Sequence, residues 1–116
     1  MLKLMSWGNK FGEPTANFKF DVSFLTNPWR EKSLQGASEN EIIRFMEKQK
    51  GFNALVNSIG HLAITYQKLW PDEEMIFAIC CSAGADRSII VTETIAKILR
   101  ENKISCETAH PFARRK

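Results

Sequence analysis

The chain has 116 residues and carries 16 Lys and Arg against 13 Asp and Glu, which gives a net charge of +3. A hydrophobic share of 44% and a charged share of 25% exclude a disordered or fibrous chain, and the length fits one compact domain. The net charge is too small to indicate nucleic-acid binding by itself. No stretch approaches the roughly 20 apolar residues of a membrane-spanning helix, so we expect no membrane partner.

Two short stretches near the N-terminus alternate between apolar and polar residues and therefore predict strands. The first is LKLMSWG, which ends at Gly8. The second is NFKFDVSF, which places Phe18, Phe20, Val22 and Phe24 on one face. The turn residues of GNKFGEPT predict that the two strands are linked as a hairpin or by an open loop.

The middle of the chain predicts two helices. Ser38 is a suitable N-cap for ENEIIRFMEKQK, with Glu41 three residues later as its capping-box partner. Gly51 interrupts the pattern, and a second helical stretch continues to about Trp70. The residues between Thr26 and Ser38 lack a regular period and predict a long loop.

The last third of the chain predicts a strand, a loop, a helix and one more strand. MIFAIC is a continuous apolar run, which is typical of a central strand covered on both faces. CSAGAD follows as a loop, RSIIVTETIAKILRENK as a helix and ISCETAH as a strand. The whole order predicts an α/β fold, a single-domain mixed sheet flanked by helices, with a strand-loop-helix turn that can bind an anion.

The turn CCSAGADRS has the residue types that an anion-binding loop needs. Its small residues let a phosphate approach backbone N–H groups at the start of a helix, where the positive end of the helix dipole lies. The Arg87 guanidinium can donate hydrogen bonds to the phosphate oxygens, and the Ser88 hydroxyl can donate one more. The predicted cradle consists of Ser82, Ala83, Gly84, Ala85, Arg87 and Ser88.

The same turn also allows a catalytic alternative. Cys81, followed six residues later by Arg87, has the spacing of cysteine phosphatases, in which the cysteine is the nucleophile. Such an enzyme needs a general acid, but Asp72 of the WPD triplet would lie roughly 25 to 30 Å away at the other end of the strand. Asp86 would also repel both a thiolate and a dianionic substrate.

Three cysteines, at positions 80, 81 and 106, do not form an even-numbered disulfide framework, and adjacent cysteines rarely bridge each other. Reduced thiols favour a cytoplasmic location. His61 and His110 lack the short paired spacing of zinc ligands, so we expect neither a metal nor another cofactor.

Three separated motifs, SWGNKFG, FDVSFLTNP and CSAGADRS, together resemble the C-terminal domain of the RapZ family of RNase adapter proteins. The resemblance covers nearly the whole chain and implies one domain over residues 1–116. It implies a binding module rather than an enzyme, with a phosphorylated amino sugar, glucosamine-6-phosphate, as ligand and a contribution to small-RNA binding. We expect a free-standing copy, without the family's N-terminal ATP-binding domain, so no ATP hydrolysis is carried over.

Three positions depart from the family pattern: Ser23 replaces an Arg, Trp29 replaces a His, and Asp86 replaces the His before Arg87. These changes make the expected pocket less positive. We therefore predict a pocket for a phosphorylated small molecule, a sugar phosphate or a nucleotide-like compound, whose non-phosphate part is altered. The candidate ligand contacts are Asp21, Asn27, Cys81, Ser82, Ala83, Gly84, Ala85, Asp86, Arg87 and Ser88.

The chain ends in a short basic run, Arg114, Arg115 and Lys116. The resemblance implies RNA contact at this terminus, while a solvated chain end is the alternative. Three cations by themselves attract RNA only weakly. A homo-oligomer would repeat them in several copies, so RNA binding at this terminus favours a homo-oligomer.

Overall fold

The computed structural model describes residues 1–113. One sheet contains the strands β1 (Leu2–Gly8), β2 (Phe18–Asp21), β3 (Met75–Cys81) and β4 (Cys106–Ala109). Three helices, α1 (Glu39–Glu47), α2 (Phe52–Leu69) and α3 (Arg87–Glu101), complete the regular structure. The α/β class predicted from the sequence is confirmed.

The strands are arranged in the order β2-β3-β1-β4, and each of the three pairings is parallel. The sequence pattern predicts a mixed sheet and allows a β1–β2 hairpin, but β1 and β2 lie on opposite sides of β3. Residues 9–17 are long enough to return along the sheet, so β2 begins at the same edge as β1. All four strands consequently end at one edge, where the loop after β3 lies.

The three helices cover one face of the sheet and the connection between β1 and β2 crosses the other. Leu4 and Phe77 belong to a single buried cluster with residues of all three helices. On the opposite face, the Trp7 indole Nε1 donates a hydrogen bond to the Gly12 carbonyl at 2.8 Å. Ala78 and Cys80 are fully buried yet lie outside the cluster, so β3 is covered on this face as well. The prediction that β3 is central and covered on both faces is confirmed.

Strand β2 is shorter than the alternating pattern predicts. The backbone N–H of Ser23 donates to the Asp21 carboxylate at 2.9 Å, and this local hydrogen bond turns the chain out of the strand. Val22 remains buried, but Phe24 is 63% exposed. The alternating pattern placed Phe24 on the same strand face as Phe18 and Phe20, but β2 ends at Asp21, and alternation applies only while the chain stays extended.

The predicted helices are confirmed with their end signals. The Ser38 hydroxyl accepts from the N–H of Glu41, and the Glu41 carboxylate accepts from the N–H of Ser38, which completes the capping box. Gly51 adopts φ +89° directly before α2. Among residues 1–113, no helix is long and apolar enough to cross a membrane.

Candidate functional site

The loop from Ser82 to Asp86 joins β3 to α3 and is packed against the end of β1. Gly84 has φ +70°, and a Cβ atom there would lie 2.5 Å from the backbone N of Gly8. The contact is reciprocal, because a Cβ on Gly8 would lie 2.5 Å from the carbonyl oxygen of Ala83. The N–H of Lys10 donates to the Ser82 carbonyl at 3.1 Å. Two glycines thus allow the loop to lie directly on the neighbouring strand.

The loop offers backbone donors at the start of a helix. Within residues 1–113, the N–H groups of Ala83, Gly84 and Ala85 donate to no protein acceptor. The first turn of α3 adds N–H groups that have no partner inside the helix. Because the helix dipole is positive at this end, the arrangement can accept an anion.

Arg87 ties the loop after β2 to the start of α3. Its side chain is mostly buried, with the whole residue 8% exposed. Nη1 donates to the carbonyls of Ser23 at 2.8 Å and Leu25 at 2.9 Å, and Nη2 donates to the Ser82 hydroxyl at 3.3 Å. The guanidinium therefore stabilises the fold through these three hydrogen bonds. Its contact with a ligand stays a prediction.

Cys81 and Ser88 lie beneath the loop rather than at its surface. Cys81 is 2% exposed and belongs to the hydrophobic cluster, and its Sγ donates to the Ser88 Oγ at 3.2 Å. A nucleophile must reach its substrate, so this burial gives the phosphatase alternative no support. Trp70 and Asp72 precede β3 and lie at the opposite edge of the sheet.

Burial also affects the neighbouring thiol on the other face of the sheet. Loss of hydration raises the pKa of Cys80 to about 11, although Lys19 opposes this shift. Burial likewise raises the pKa of Cys106. All three cysteines are free.

Asp86 occupies the N-cap position of α3, but its carboxylate does not cap the helix. Instead, the Trp29 indole Nε1 donates to Asp86 Oδ1 at 2.6 Å. The Trp29 backbone N–H in turn donates to Asn27 Oδ1 at 3.1 Å, which caps the 3₁₀ turn Pro28–Arg30. Trp29 is 60% exposed, and this hydrogen bond holds it next to the loop. Two of the three departures noted in the sequence, Trp29 and Asp86, thus contact each other.

Asp21 lies at the end of β2, level with Cys80 of β3. Hydrogen bonds from the Ser23 hydroxyl and amide, and a further one from Asn9, lower the pKa of Asp21, while partial desolvation opposes the shift. The carboxylate is thus ionised and already accepts hydrogen bonds from its own turn. Asp21, Asn27 and the loop all lie at one edge of the sheet, and their contact with a ligand stays a prediction.

Three residues at this edge were not among the predicted ligand contacts. Gly8 and Lys10 contact the loop through their backbones, and Trp29 contacts Asp86. The motif SWGNKFG contains Gly8 and Lys10. Their contacts could not be predicted, because a contact made by the backbone does not depend on which side chain the residue carries. Trp29 was marked in the sequence only by its departure from the family pattern.

Side-chain contacts of His110 and Phe112 hold the last described residues close to the same edge of the sheet. His110 Nδ1 lies 2.7 Å from the Ser6 Oγ, and its Nε2 lies 3.2 Å from Glu93 Oε1. The Phe112 ring stacks on Phe11 with centroids 4.0 Å apart. The predicted RNA contacts, Arg114, Arg115 and Lys116, lie outside the described residues.

Two further kinds of site, a metal centre and a surface groove, were considered. In the part of the chain that the structure describes, no group of three or more His, Cys, Asp and Glu residues is arranged to hold a metal ion. Two surface grooves of 460 Å³ each lie elsewhere, one along α2 and the other between α1 and α3.

The profile of the RapZ C-terminal domain family matches residues 1–113. The chain is 30% identical over 116 residues to a nucleotide-binding protein of Shewanella loihica, covering 95% of this chain and 41% of that protein. Similar proteins occur in Alcanivorax borkumensis, at 30% identity over 115 residues, and in Pseudothermotoga lettingae, at 30% over 107 residues. The chain spans about 41% of the length of the first two relatives and 38% of the third.

Proposed function

We propose, from the premise that this chain belongs to the RapZ C-terminal domain family, that residues 1–116 are one binding domain that holds a phosphorylated small molecule at the Cys81–Ser88 loop. The ligand belongs to the sugar phosphates or nucleotide-like compounds. The domain binds this ligand without transforming it. Its relatives are named nucleotide-binding proteins, which agrees with a phosphate-containing ligand.

The observation that carries the proposal is the set of backbone donors in the loop. The N–H groups of Ala83, Gly84 and Ala85 have no protein acceptor within the described residues, and they lie at the positive end of α3. A phosphate can accept hydrogen bonds from several such groups at once. The exposed Ser82 hydroxyl supports the same role, with Arg87 Nη2 beside it.

Trp29 and Asp86 support the proposal that the non-phosphate part of the ligand is altered. The indole presents an exposed aromatic face beside the loop, and its hydrogen bond to Asp86 holds it there. An aromatic face packs against flat or apolar ligand groups. Asp86 adds a negative charge that weakens the attraction of the loop for a dianion.

The sharpest test replaces Asp86 with asparagine. The amide oxygen of the new side chain can still accept from the Trp29 indole, but the negative charge is removed. We expect D86N to bind pyrophosphate about tenfold more tightly at low ionic strength, because one like-charge repulsion beside the loop is lost. Isothermal titration calorimetry measures the difference in Kd.

The matched control is D72N, which makes the same charge change at an exposed position on the opposite edge of the sheet. D72N is expected to bind as the unchanged chain does. Equal affinities for D86N and D72N would contradict a phosphate site at this loop. Absence of pyrophosphate and inorganic phosphate binding by every one of these chains would overturn the proposed function.

We also propose that Arg114, Arg115 and Lys116 contact RNA, with a homo-oligomer repeating the three cations. A chain that ends at Ala113 is expected to bind single-stranded RNA more weakly, and the slope of log K against log salt should become shallower by about 2. Filter binding at several salt concentrations measures both quantities. The control K48Q/K50Q/K68Q removes the same charge from three exposed positions, two between α1 and α2 and one near the end of α2. An equal loss of slope there would exclude a specific role for the terminus.

A further inference from the structure

A groove runs between α1 and α3, away from the loop described above. It has a volume of 460 Å³. Both helices contribute apolar and charged side chains to its walls. The lining residues on which the inference depends are Ile43, Ile89, Ile90 and Ile98, together with Glu39, Glu47, Glu93, Lys97 and Glu101.

The floor of this groove is apolar and incompletely covered. Ile43, Ile89, Ile90 and Ile98 are all only partly buried. Met46 is the single fully buried residue of α1, so the other apolar side chains of this helix, Ile43 among them, keep part of their surface accessible. A surface helix normally buries its apolar stripe, and this one leaves part of that stripe accessible beside α3.

The rim of the groove is acidic, although the chain as a whole has a net charge of +3. Its four glutamates face a single cation, Lys97, which gives the lining a net charge of −3. Within residues 1–113, no Lys or Arg nitrogen lies within 4 Å of the carboxylates of Glu39, Glu47 or Glu101. Glu93 is the exception in having His110 as a partner. The groove therefore combines an apolar floor with largely uncompensated negative charge.

We propose that the α1–α3 groove docks a basic amphipathic helix of another protein. Apolar residues at helical spacing would cover the isoleucines, and Lys or Arg side chains on the flanks would meet the glutamates. The same charge excludes a nucleic acid as occupant, because phosphates would face four carboxylates. This surface lies on the helical layer, so the inference does not depend on the proposed phosphate site.

The test uses a synthetic peptide as the probe, with the full chain as its target. The peptide has 16 residues, with Leu at helical i, i+3, i+4 and i+7 positions and Lys at the exposed positions. A second peptide has the same composition with the Leu and Lys positions scrambled. Fluorescence anisotropy measures the affinities, and amide chemical shifts show which residues of the chain respond.

We expect the amphipathic peptide to bind with shift changes confined to α1 and α3, and the scrambled peptide to bind at least tenfold more weakly. E47K/E101K should weaken amphipathic binding at least tenfold. These substitutions place cations near helix C-termini, which the helix dipole tolerates. The control E74K/E107K makes the same charge change at exposed positions outside the groove and should bind as the unchanged chain does.

Three results would overturn the proposal. The first is equal peptide binding by E47K/E101K and the unchanged chain, or by the two peptides. The second is a change of oligomeric state in E47K/E101K without peptide, measured by sedimentation equilibrium, which would make the groove an interface between copies of this chain. The third is a chain ending at Ala113 that binds the peptide at least tenfold more tightly, which would assign the groove to the basic C-terminus of this chain.

Discussion

Replacing Gly84 with alanine is expected to lower the free energy of unfolding by about 3 kcal/mol or more. Two causes add together. Gly84 has φ +70°, which costs any residue with a side chain, and the new Cβ would lie 2.5 Å from the N of Gly8 and 2.6 Å from the carbonyl carbon of Trp7. Both contacts are with backbone atoms of a central strand, so neither can move away easily. Urea denaturation of the two chains measures the difference.

Gly36 provides the matched control, because it has φ +75° but a Cβ atom at this position would meet nothing within 4 Å. G36A should therefore show only the backbone term, about 1 kcal/mol. The excess in G84A then measures the close approach of the loop to β1. Equal losses in G84A and G36A would show that the loop does not lie on β1 in solution.

Replacing Arg87 with alanine is expected to cost about 2 to 4 kcal/mol of stability. The change removes the donor to the carbonyls of Ser23 and Leu25, and the hydrogen bond to Leu25 is buried. A cation at the positive end of a helix is otherwise unfavourable, so these hydrogen bonds account for the presence of arginine at this position. Thermal and urea unfolding measure the loss.

R87K is the informative companion, because an ammonium group can reach a carbonyl but cannot reproduce the planar fork of arginine. We expect it to recover less than half of the lost stability. R100A, at an exposed position near the end of the same helix, should change stability by no more than about 0.5 kcal/mol. A loss in R87A no larger than that in R100A would refute the structural role of Arg87.

The same hydrogen bonds of Arg87 determine which substitution can test the proposed phosphate site. Loss of ligand binding in R87A would not distinguish a missing ligand contact from a displaced loop, because the guanidinium holds residues 23–25 against the start of α3. D86N avoids this difficulty, since the hydrogen bond from Trp29 can persist while the charge changes. The substitution that separates binding from folding is therefore at Asp86.

Two of the positions that depart from the family pattern, Trp29 and Asp86, form a hydrogen bond with each other in the structure. Trp29 and Asp86 are 57 positions apart in the sequence, yet the indole of one donates to the carboxylate of the other. A carboxylate beside an anion-binding loop is unfavourable for a dianion, but an indole donor compensates part of its charge.

The sequence predicted the elements whose signals are local. The capping box at Ser38, the helix break at Gly51 and the apolar run of β3 depend on residues that are neighbours in the chain, and all three are confirmed. The family was also predictable, because three motifs occur in the same order. The end of β2 was not predictable from alternation, since a hydrogen bond from the Ser23 N–H to the Asp21 side chain overrides the period.

By itself, the sequence determined the α/β class, the helices and the loop of small residues after β3, because hydrophobic period, capping residues and residue size act over a few neighbouring positions. Only the tertiary structure decided the parallel strand order, the burial of Cys81 and the contact between Trp29 and Asp86. These features depend on which distant segments meet, and the free energy of such contacts is shared between residues that no local pattern relates. The strand-loop-helix turn can thus be predicted from the sequence. Only the fold determines that Arg87 supports the loop and that Cys81 is buried beneath it.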